Sequence, residues 1–170
     1  MQDQQRHSID ERSGSLVEVW FKIEKDADGY PESKSWEGLW AETVDGAYVL
    51  ISVPFYLKNV SSGDAVEACE REFLAFTRVI NRGGHNTYRL LIPQESRSKI
   101  DETVYELISL GLAVEKEITM LLAVDVPPSV DQAEIDSFLA EGSEAGRWEM
   151  QDGFLSSNVT SAGGWPISAH

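Results

Sequence analysis

The order of predicted secondary-structure elements changes once along this 170-residue chain, close to residue 83. Residues 16–82 contain short runs of β-branched and aromatic residues separated by Gly and Asp turns, with no helical periodicity. The strongest turn signal is Asp45-Gly46, which predicts a tight hairpin. About five short strands of this kind predict a small, strongly bent antiparallel sheet that resembles a barrel.

Residues 83–152 follow a different order, which is strand, helix, strand, strand, helix, strand. The second helix has the clearest start, because Asp131 as N-cap and Glu134 three residues later form a capping box. The first helix is predicted to begin after Ser98 and to end near Gly111. This βαββαβ order is typical of a ferredoxin-like unit, in which both helices pack on one face of the sheet.

The fold class predicted from these two patterns is α+β, with a barrel-like N-terminal half packed on a ferredoxin-like C-terminal half. Residues 1–15 and 153–170 are polar and lack periodicity, which predicts a flexible tail at each end. The joint between the halves, residues 81–86, is too short to be a flexible tether. We therefore expect the barrel-like half to cover the sheet face that the helices leave open.

Charge is the second constraint on this chain. Its 29 acidic and 14 basic side chains give a formal net charge of −15. This balance argues against nucleic acid or an anionic membrane as the main partner, because Lys and Arg must neutralise phosphates there. Residues 101–152 contain 13 of the acids and only two bases, which is typical either of a solvated helix surface that aids solubility or of a recognition surface for a basic protein partner. The acids predicted to contact that partner are Asp131, Glu134, Asp136, Glu141, Glu144 and Glu149.

Several common functional classes lack their sequence signals. A single cysteine, Cys69, excludes an internal disulfide and a cysteine-based zinc site. The usual nucleotide-binding, hydrolase and zincin motifs are absent, so we expect no metal and no cofactor. No apolar run reaches the roughly 18 residues that a membrane helix needs, and no signal pattern is present, which predicts a cytoplasmic protein. The five tryptophans are interpreted as residues of the core and of the joint.

The joint itself is an alternative candidate site. Gly83-Gly84 would let the backbone approach a ligand, and His85 could exchange a proton near neutral pH. Flanking guanidinium groups would hold an anion. The residues of this alternative anion or ligand site are Arg78, Arg82, Gly83, Gly84, His85, Thr87 and Arg89. The two glycines could equally serve only to connect the halves.

Several segments, taken in chain order, resemble the bacterial domain-of-unknown-function 4265 family over about residues 16–152. They are Phe21-Lys22-Ile23-Glu24, Glu37-Gly38-Leu39-Trp40-Ala41-Glu42, Val53-Pro54-Phe55, Gly63-Asp64-Ala65-Val66-Glu67-Ala68, Arg78-Val79-Ile80 with Arg82 to Arg89, and Ala123-Val124-Asp125-Val126-Pro127-Pro128. Where the family usually has Ser-Gly-His, this chain has Gly83-Gly84-His85. The resemblance implies a stand-alone cytosolic protein in which His85, Thr87 and Arg89 matter. It implies no particular activity.

Two hypotheses of function follow. The first is a non-enzymatic acidic binding protein, most concretely an immunity or inhibitor protein that neutralises a bacterial toxin by covering a basic site. The second is a small-molecule (anion)-binding or catalytic module at the joint around His85. The lack of a catalytic motif favours the first hypothesis over an enzyme. The sequence leaves the oligomeric state open.

Overall fold

The computed structural model describes residues 14–118 and 120–157, which form two sheets and two α-helices. The α+β class predicted from the order of elements is therefore confirmed. Within the described residues, no helix has both the length and the apolar character needed to span a membrane.

Five short strands form the N-terminal sheet. They are β1 (Leu16–Lys22), β2 (Trp36–Val44), β3 (Ala47–Leu50), β4 (Ala65–Glu70) and β5 (Leu74–Asn81). Consecutive strands pair antiparallel, and β1 closes the barrel on β5 through the parallel pair Trp20 and Ala75. Asp45 and Gly46 both have positive φ, at 49° and 81°, and turn the chain from β2 into β3 as their sequence predicted.

Strand alternation divides the barrel residues between an apolar interior and an outer surface. Val19, Phe21 and Leu39 are buried inside, where the Phe21 ring stacks on Phe76 with centroids 4.6 Å apart. The intervening positions, which include Trp36 and Trp40, face outward and are exposed. The interpretation of all tryptophans as core or joint residues is therefore wrong for these two. Trp165 lies outside the described residues.

Four strands and two helices form the second half. They are β6 (Asn86–Leu91), α1 (Ile100–Ser109), β7 (Ala113–Lys116), β8 (Leu121–Val126), α2 (Gln132–Glu144) and β9 (Glu149–Asp152). The sheet has the strand order β7-β8-β6-β9, and all neighbouring strands are antiparallel.

The two helix starts differ in how well local sequence predicts them. Asp131 caps α2 as expected, and its carboxylate accepts hydrogen bonds from the backbone N–H groups of Ala133 and Glu134 at 3.0 and 3.3 Å. Ser98 does not cap α1, because a 3-10 turn over Gln94–Lys99 precedes that helix. The prediction for Ser98 is wrong because a six-residue turn, which local capping signals do not reveal, comes first.

Both helices pack on one face of the second sheet. Leu107 of α1 and Leu139 of α2 are fully buried against sheet residues such as Leu90 and Leu122. Trp148, just before β9, completes this core and donates its indole N–H to the Leu139 carbonyl oxygen at 3.0 Å. The opposite sheet face is left to meet the barrel.

The ordered body extends beyond residue 152. The backbone of Gly153 and Phe154 exchanges hydrogen bonds of 2.8 Å with Thr87, and the Phe154 ring is buried. Ser156 donates its backbone N–H to Asn86 Oδ1 at 2.7 Å. Residues 153–157 thus belong to the body, which corrects the predicted start of the tail. The rest of that tail, and residues 1–13 of the other, lie outside the described residues.

Candidate functional site

The sheet face that meets the barrel carries buried polar side chains among its apolar ones. Thr87 and Arg89 on β6 and Asp125 on β8 are all buried, and they alternate with residues that face the helices. Burying such groups costs free energy unless they are bonded. Their partners therefore show what the joint is built to hold.

Residues 53–57, here called the clamped segment, are held by charged side chains from both halves. Arg89 donates to the carbonyl oxygens of Phe55 and Leu57, the second at 2.5 Å. Glu37 of β2 accepts the backbone N–H groups of Phe55 and Tyr56 at 2.6 and 3.0 Å. The sequence analysis assigned no role to Glu37. A carboxylate at the start of an apolar strand is nevertheless a sign that a buried hydrogen-bond donor lies beside it.

Two further carboxylates from the second sheet reach the same segment. Glu115 on β7 accepts the backbone N–H of Val53 at 3.1 Å. Glu117 accepts the hydroxyl of Tyr56 at 2.5 Å and also pairs with Lys34 of the barrel half. The clamped segment is thus the main polar connection between the two halves.

Burial shifts the proton affinity of the groups that hold this segment. It raises the pKa of Glu37, whereas the backbone N–H donors and the charge of Arg89 lower that pKa. Burial likewise raises the pKa of Glu115, opposed by the bond from Val53. For Arg89, burial lowers the pKa and the nearby Glu37 carboxylate opposes this. The charges of Glu37 and Arg89 therefore compensate each other inside the joint.

His85 and Asp125 form a second polar centre at the joint. The imidazole Nδ1 lies 2.9 Å from each carboxylate oxygen of Asp125. Burial raises the pKa of Asp125, the hydrogen bond and charge of His85 lower it, and Asp64 raises it. The His85 side chain is 21% exposed and packs on Gly63, where a Cβ atom would lie 2.6 Å from the ring. An imidazole oriented in this way by a carboxylate is able to transfer a proton through Nε2.

Asp64 organises the connection beside His85. Its buried carboxylate accepts the backbone N–H of Ser61 at 3.0 Å and of Gly83 at 2.9 Å, and it pairs with Arg82 at 2.9 Å. Arg82 also donates to the Asn59 carbonyl oxygen, and its guanidinium stacks on Phe154 with 4.4 Å to the ring centroid. These contacts fix the path of the Gly83-Gly84 turn.

The structure brings together most residues of the alternative anion site and leaves one apart. Arg82, Gly83, Gly84, His85, Thr87 and Arg89 all belong to the joint, whereas Arg78 pairs with Glu67 on the outer barrel surface. Each of the three arginines already has a partner within the protein. The Thr87 hydroxyl is buried and lacks a hydrogen-bond partner among the described residues.

Sequence reasoning missed the partner of His85. Asp125 is the one charged residue in β8, whose six positions are all buried. A carboxylate inside such a strand requires a polar partner, and that signal could have directed attention to Asp125. Nothing in the sequence, however, shows that its partner would come from the turn that begins β6.

Five of the six predicted partner-binding acids lie on the other side of the second sheet, whereas Glu149 is the register partner of Leu91 and shares the sheet face of Arg89. All six are exposed, five on or beside α2 and Glu149 on β9. Helix α1 adds Asp101, Glu102 and Glu106, and neither helix contains a Lys or Arg. We call the solvent-facing surface of α1 and α2 the acidic helix layer. It lies on the sheet face opposite the barrel.

Comparison with known families is informative once this geometry is clear. The model of a family described as "Domain of unknown function (DUF4265)" matches residues 37–150. The chain belongs to the DUF4265 family. No curated protein matches it. The segments that carry the DUF4265 resemblance supply Glu37, Phe55, Asp64, His85, Arg89 and Asp125, which all lie at the joint.

One similar solved structure is described as a "Novel crystal structure of a hypothetical protein from Neisseria gonorrhoeae". It shares 18% sequence identity with this DUF4265 chain at a TM-score of 0.61, covering 83% of this chain and 96% of that one. At this identity the likeness shows a common fold alone.

Proposed function

We propose that this protein is a non-enzymatic binding protein that docks on a basic partner through the acidic helix layer. Its most concrete form is an immunity or inhibitor protein that covers the basic site of a toxin. The observation that carries the proposal is the charge of α1 and α2, which contain three and four acids respectively and no basic residue. Such a surface attracts and selects a positively charged partner.

The acidic helix layer is rigid, which favours recognition. Ile135, Leu139 and Gly142 anchor α2 on the sheet, and Leu107 anchors α1. The acids are therefore held in fixed positions, and little side-chain or backbone ordering is needed on binding.

Two apolar side chains on α1 support a protein partner over a simple counter-ion. Tyr105 is 74% exposed and Ile108 is 55% exposed, and they lie on the same helix as the exposed acids Asp101 and Glu102. Exposed aromatic residues often anchor protein interfaces within a polar rim. Arg147, beside the layer, is already paired with Glu106 at 3.1 Å.

A charge-reversal variant tests this proposal. Glu134→Lys, Glu141→Lys and Glu144→Lys should together abolish docking, because all three are exposed on α2. The matched control reverses three exposed acids of the barrel half, with Asp28→Lys, Glu70→Lys and Glu72→Lys. Both variants change the net charge equally, so a difference between them reports the location of the charge.

The readout is the survival of cells that express the product of the gene adjacent to this one. That product is expressed alone or together with the wild type or one of the variants. We expect the wild type and the barrel variant to protect and the helix variant to fail. Equal protection by both variants, or none by the wild type, would overturn the proposal. An inhibitor of this kind would act in the cytoplasm, where we propose that this protein functions.

The pairing of His85 with Asp125 favours a second candidate function, a small-molecule (anion)-binding or catalytic module at the joint. His85→Gln should remove proton transfer there without changing the acidic helix layer. The second function would be supported if a small ligand raises the unfolding temperature of the wild type but not that of His85→Gln, while His85→Gln still protects cells. The reverse outcome would support docking.

We also infer that the second half has a ferredoxin-like arrangement. Its βαββαβ element order, the strand order β7-β8-β6-β9 and the packing of both helices on one sheet face support this.

A further inference from the structure

A cleft of about 300 Å³ lies on the barrel side of the second sheet, opposite the acidic helix layer. Leu91 of β6 and Leu121 of β8 are register partners, and both line the cleft. Leu91 is 40% exposed because the barrel does not cover this end of the sheet. The rest of the apolar lining comes from two barrel-half loops and consists of Pro31 and the rings of Tyr30, Phe55 and Tyr56.

Four charged side chains also line this cleft, two of each sign. Arg89 and Lys58 are cationic, and Glu24 and Asp26 are anionic. Arg89 is immobilised by its bonds to the clamped segment and its charge is compensated by Glu37, so Lys58 is the cation of this lining that is free to face a ligand. Asp26 accepts the backbone N–H of Tyr30 at 2.8 Å and so positions that ring at the cleft.

We propose that this cleft binds a free α-amino acid with an apolar side chain. Its carboxylate would face Lys58, and its ammonium group would face Glu24 and Asp26. The apolar side chain would contact Leu91, Leu121 and the three rings. A ligand with only one charge would also meet like charges in the cleft, whereas a zwitterion matches a lining that carries both signs of charge.

The volume agrees with this ligand class. Small-molecule sites begin at about 300 Å³ and combine a mostly apolar lining with a few polar groups, as this cleft does. The proposal concerns a different face from the acidic helix layer and does not rest on the docking function.

Titration calorimetry of the full chain tests the proposal with four probes. L-Leucine and L-phenylalanine should bind. N-acetyl-L-phenylalanine lacks the ammonium group and L-phenylalaninamide lacks the carboxylate, so each should bind at least about tenfold more weakly than L-phenylalanine. No binding of either amino acid up to about 10 mM, or equal binding of the blocked forms, would overturn the proposal.

Variants at exposed positions assign the two charges. Lys58→Ala should weaken the binding of L-phenylalanine about tenfold and leave that of L-phenylalaninamide unchanged. Glu24→Gln should weaken L-phenylalanine and leave N-acetyl-L-phenylalanine unchanged. The matched controls are Lys25→Ala and Glu32→Gln. Both positions lie in the loop that contains Glu24 and Asp26 but outside the cleft lining, and both variants should bind like the wild type. Equal losses in variants and controls would contradict the assignment.

Discussion

At the scale of single residues, the joint depends on Arg89 and Glu37. Arg89 bonds carbonyl oxygens of the clamped segment and Glu37 bonds its N–H groups, so each charge is satisfied by main chain and balanced by the other. Removing one of two compensating buried charges leaves the other unpaired, which is more costly than losing a hydrogen bond alone.

We therefore predict that Arg89→Met lowers the free energy of unfolding by about 3 kcal/mol or more. The control is Arg78→Met, which removes an exposed ion pair with Glu67 and should cost less than about 1 kcal/mol. Urea unfolding of both variants gives the comparison. Similar losses for the two arginines would show that the clamped segment does not carry this energy.

Glu115 gives a prediction about pH. Because its pKa is raised in the folded protein, the folded state binds more protons than the unfolded state at pH values above the ordinary carboxyl range near 4. Its contribution to stability is complete below that range and is lost as pH rises through the raised pKa. Glu115→Gln should therefore flatten the fall in unfolding free energy with rising pH, since the amide oxygen still accepts from Val53.

The control for this pH effect is Glu134→Gln, which removes a charge at an exposed position of α2. Unfolding free energies measured from pH 4 to pH 8 should keep the wild-type slope in this control. An unchanged slope in Glu115→Gln would contradict the role assigned to burial.

At the scale of elements, helix α2 must approach Trp148 closely. A Cβ atom on Gly142 would lie 1.9 Å from Trp148 Cζ2, so only glycine fits at this helix position. Gly142→Ala should gain about 1 kcal/mol of helix propensity but lose more through overpacking, for a net destabilisation. The control Ser137→Ala, exposed on the same helix, should be neutral or stabilising in urea unfolding. A stabilised Gly142→Ala variant would contradict the packing.

Helix α2 also shows what local sequence can predict. The Asp131 cap and the Asp45-Gly46 hairpin were predictable because both signals act within a few residues. The outward orientation of Trp36 and the contact between Gly142 and Trp148 were not, because they depend on which strands and helices meet. The start of α1 was missed for a local reason, the 3-10 turn after Pro93.

At the scale of the whole molecule, the two halves share polar bonds across the joint in addition to their separate apolar cores. The sequence predicted that the halves would pack closely, because the connection between them is short. It did not show that Arg89, Glu115 and Glu117 would be the groups that hold them. Those bonds join residues 32 to 62 positions apart, beyond the reach of any spacing rule.

We predict that the halves unfold in a single cooperative transition. Tryptophan fluorescence, which reports Trp20, Trp36 and Trp40 of the barrel together with Trp148 of the second core, should change in one step that coincides with far-UV circular dichroism, which reports mainly α1 and α2. Coincident curves in urea are the expected result. Two separate midpoints in the wild type would show that the joint does not couple the halves.

The clamped segment has one further consequence. Its peptide groups form hydrogen bonds with Arg89, Glu37 and Glu115. The bonds at the joint therefore do not depend on which side chain stands at position 55. Phe55 can be replaced by another residue while the hydrogen bonds to the clamped segment remain. Such a replacement would change the lining of the cleft without changing the bonds between the halves.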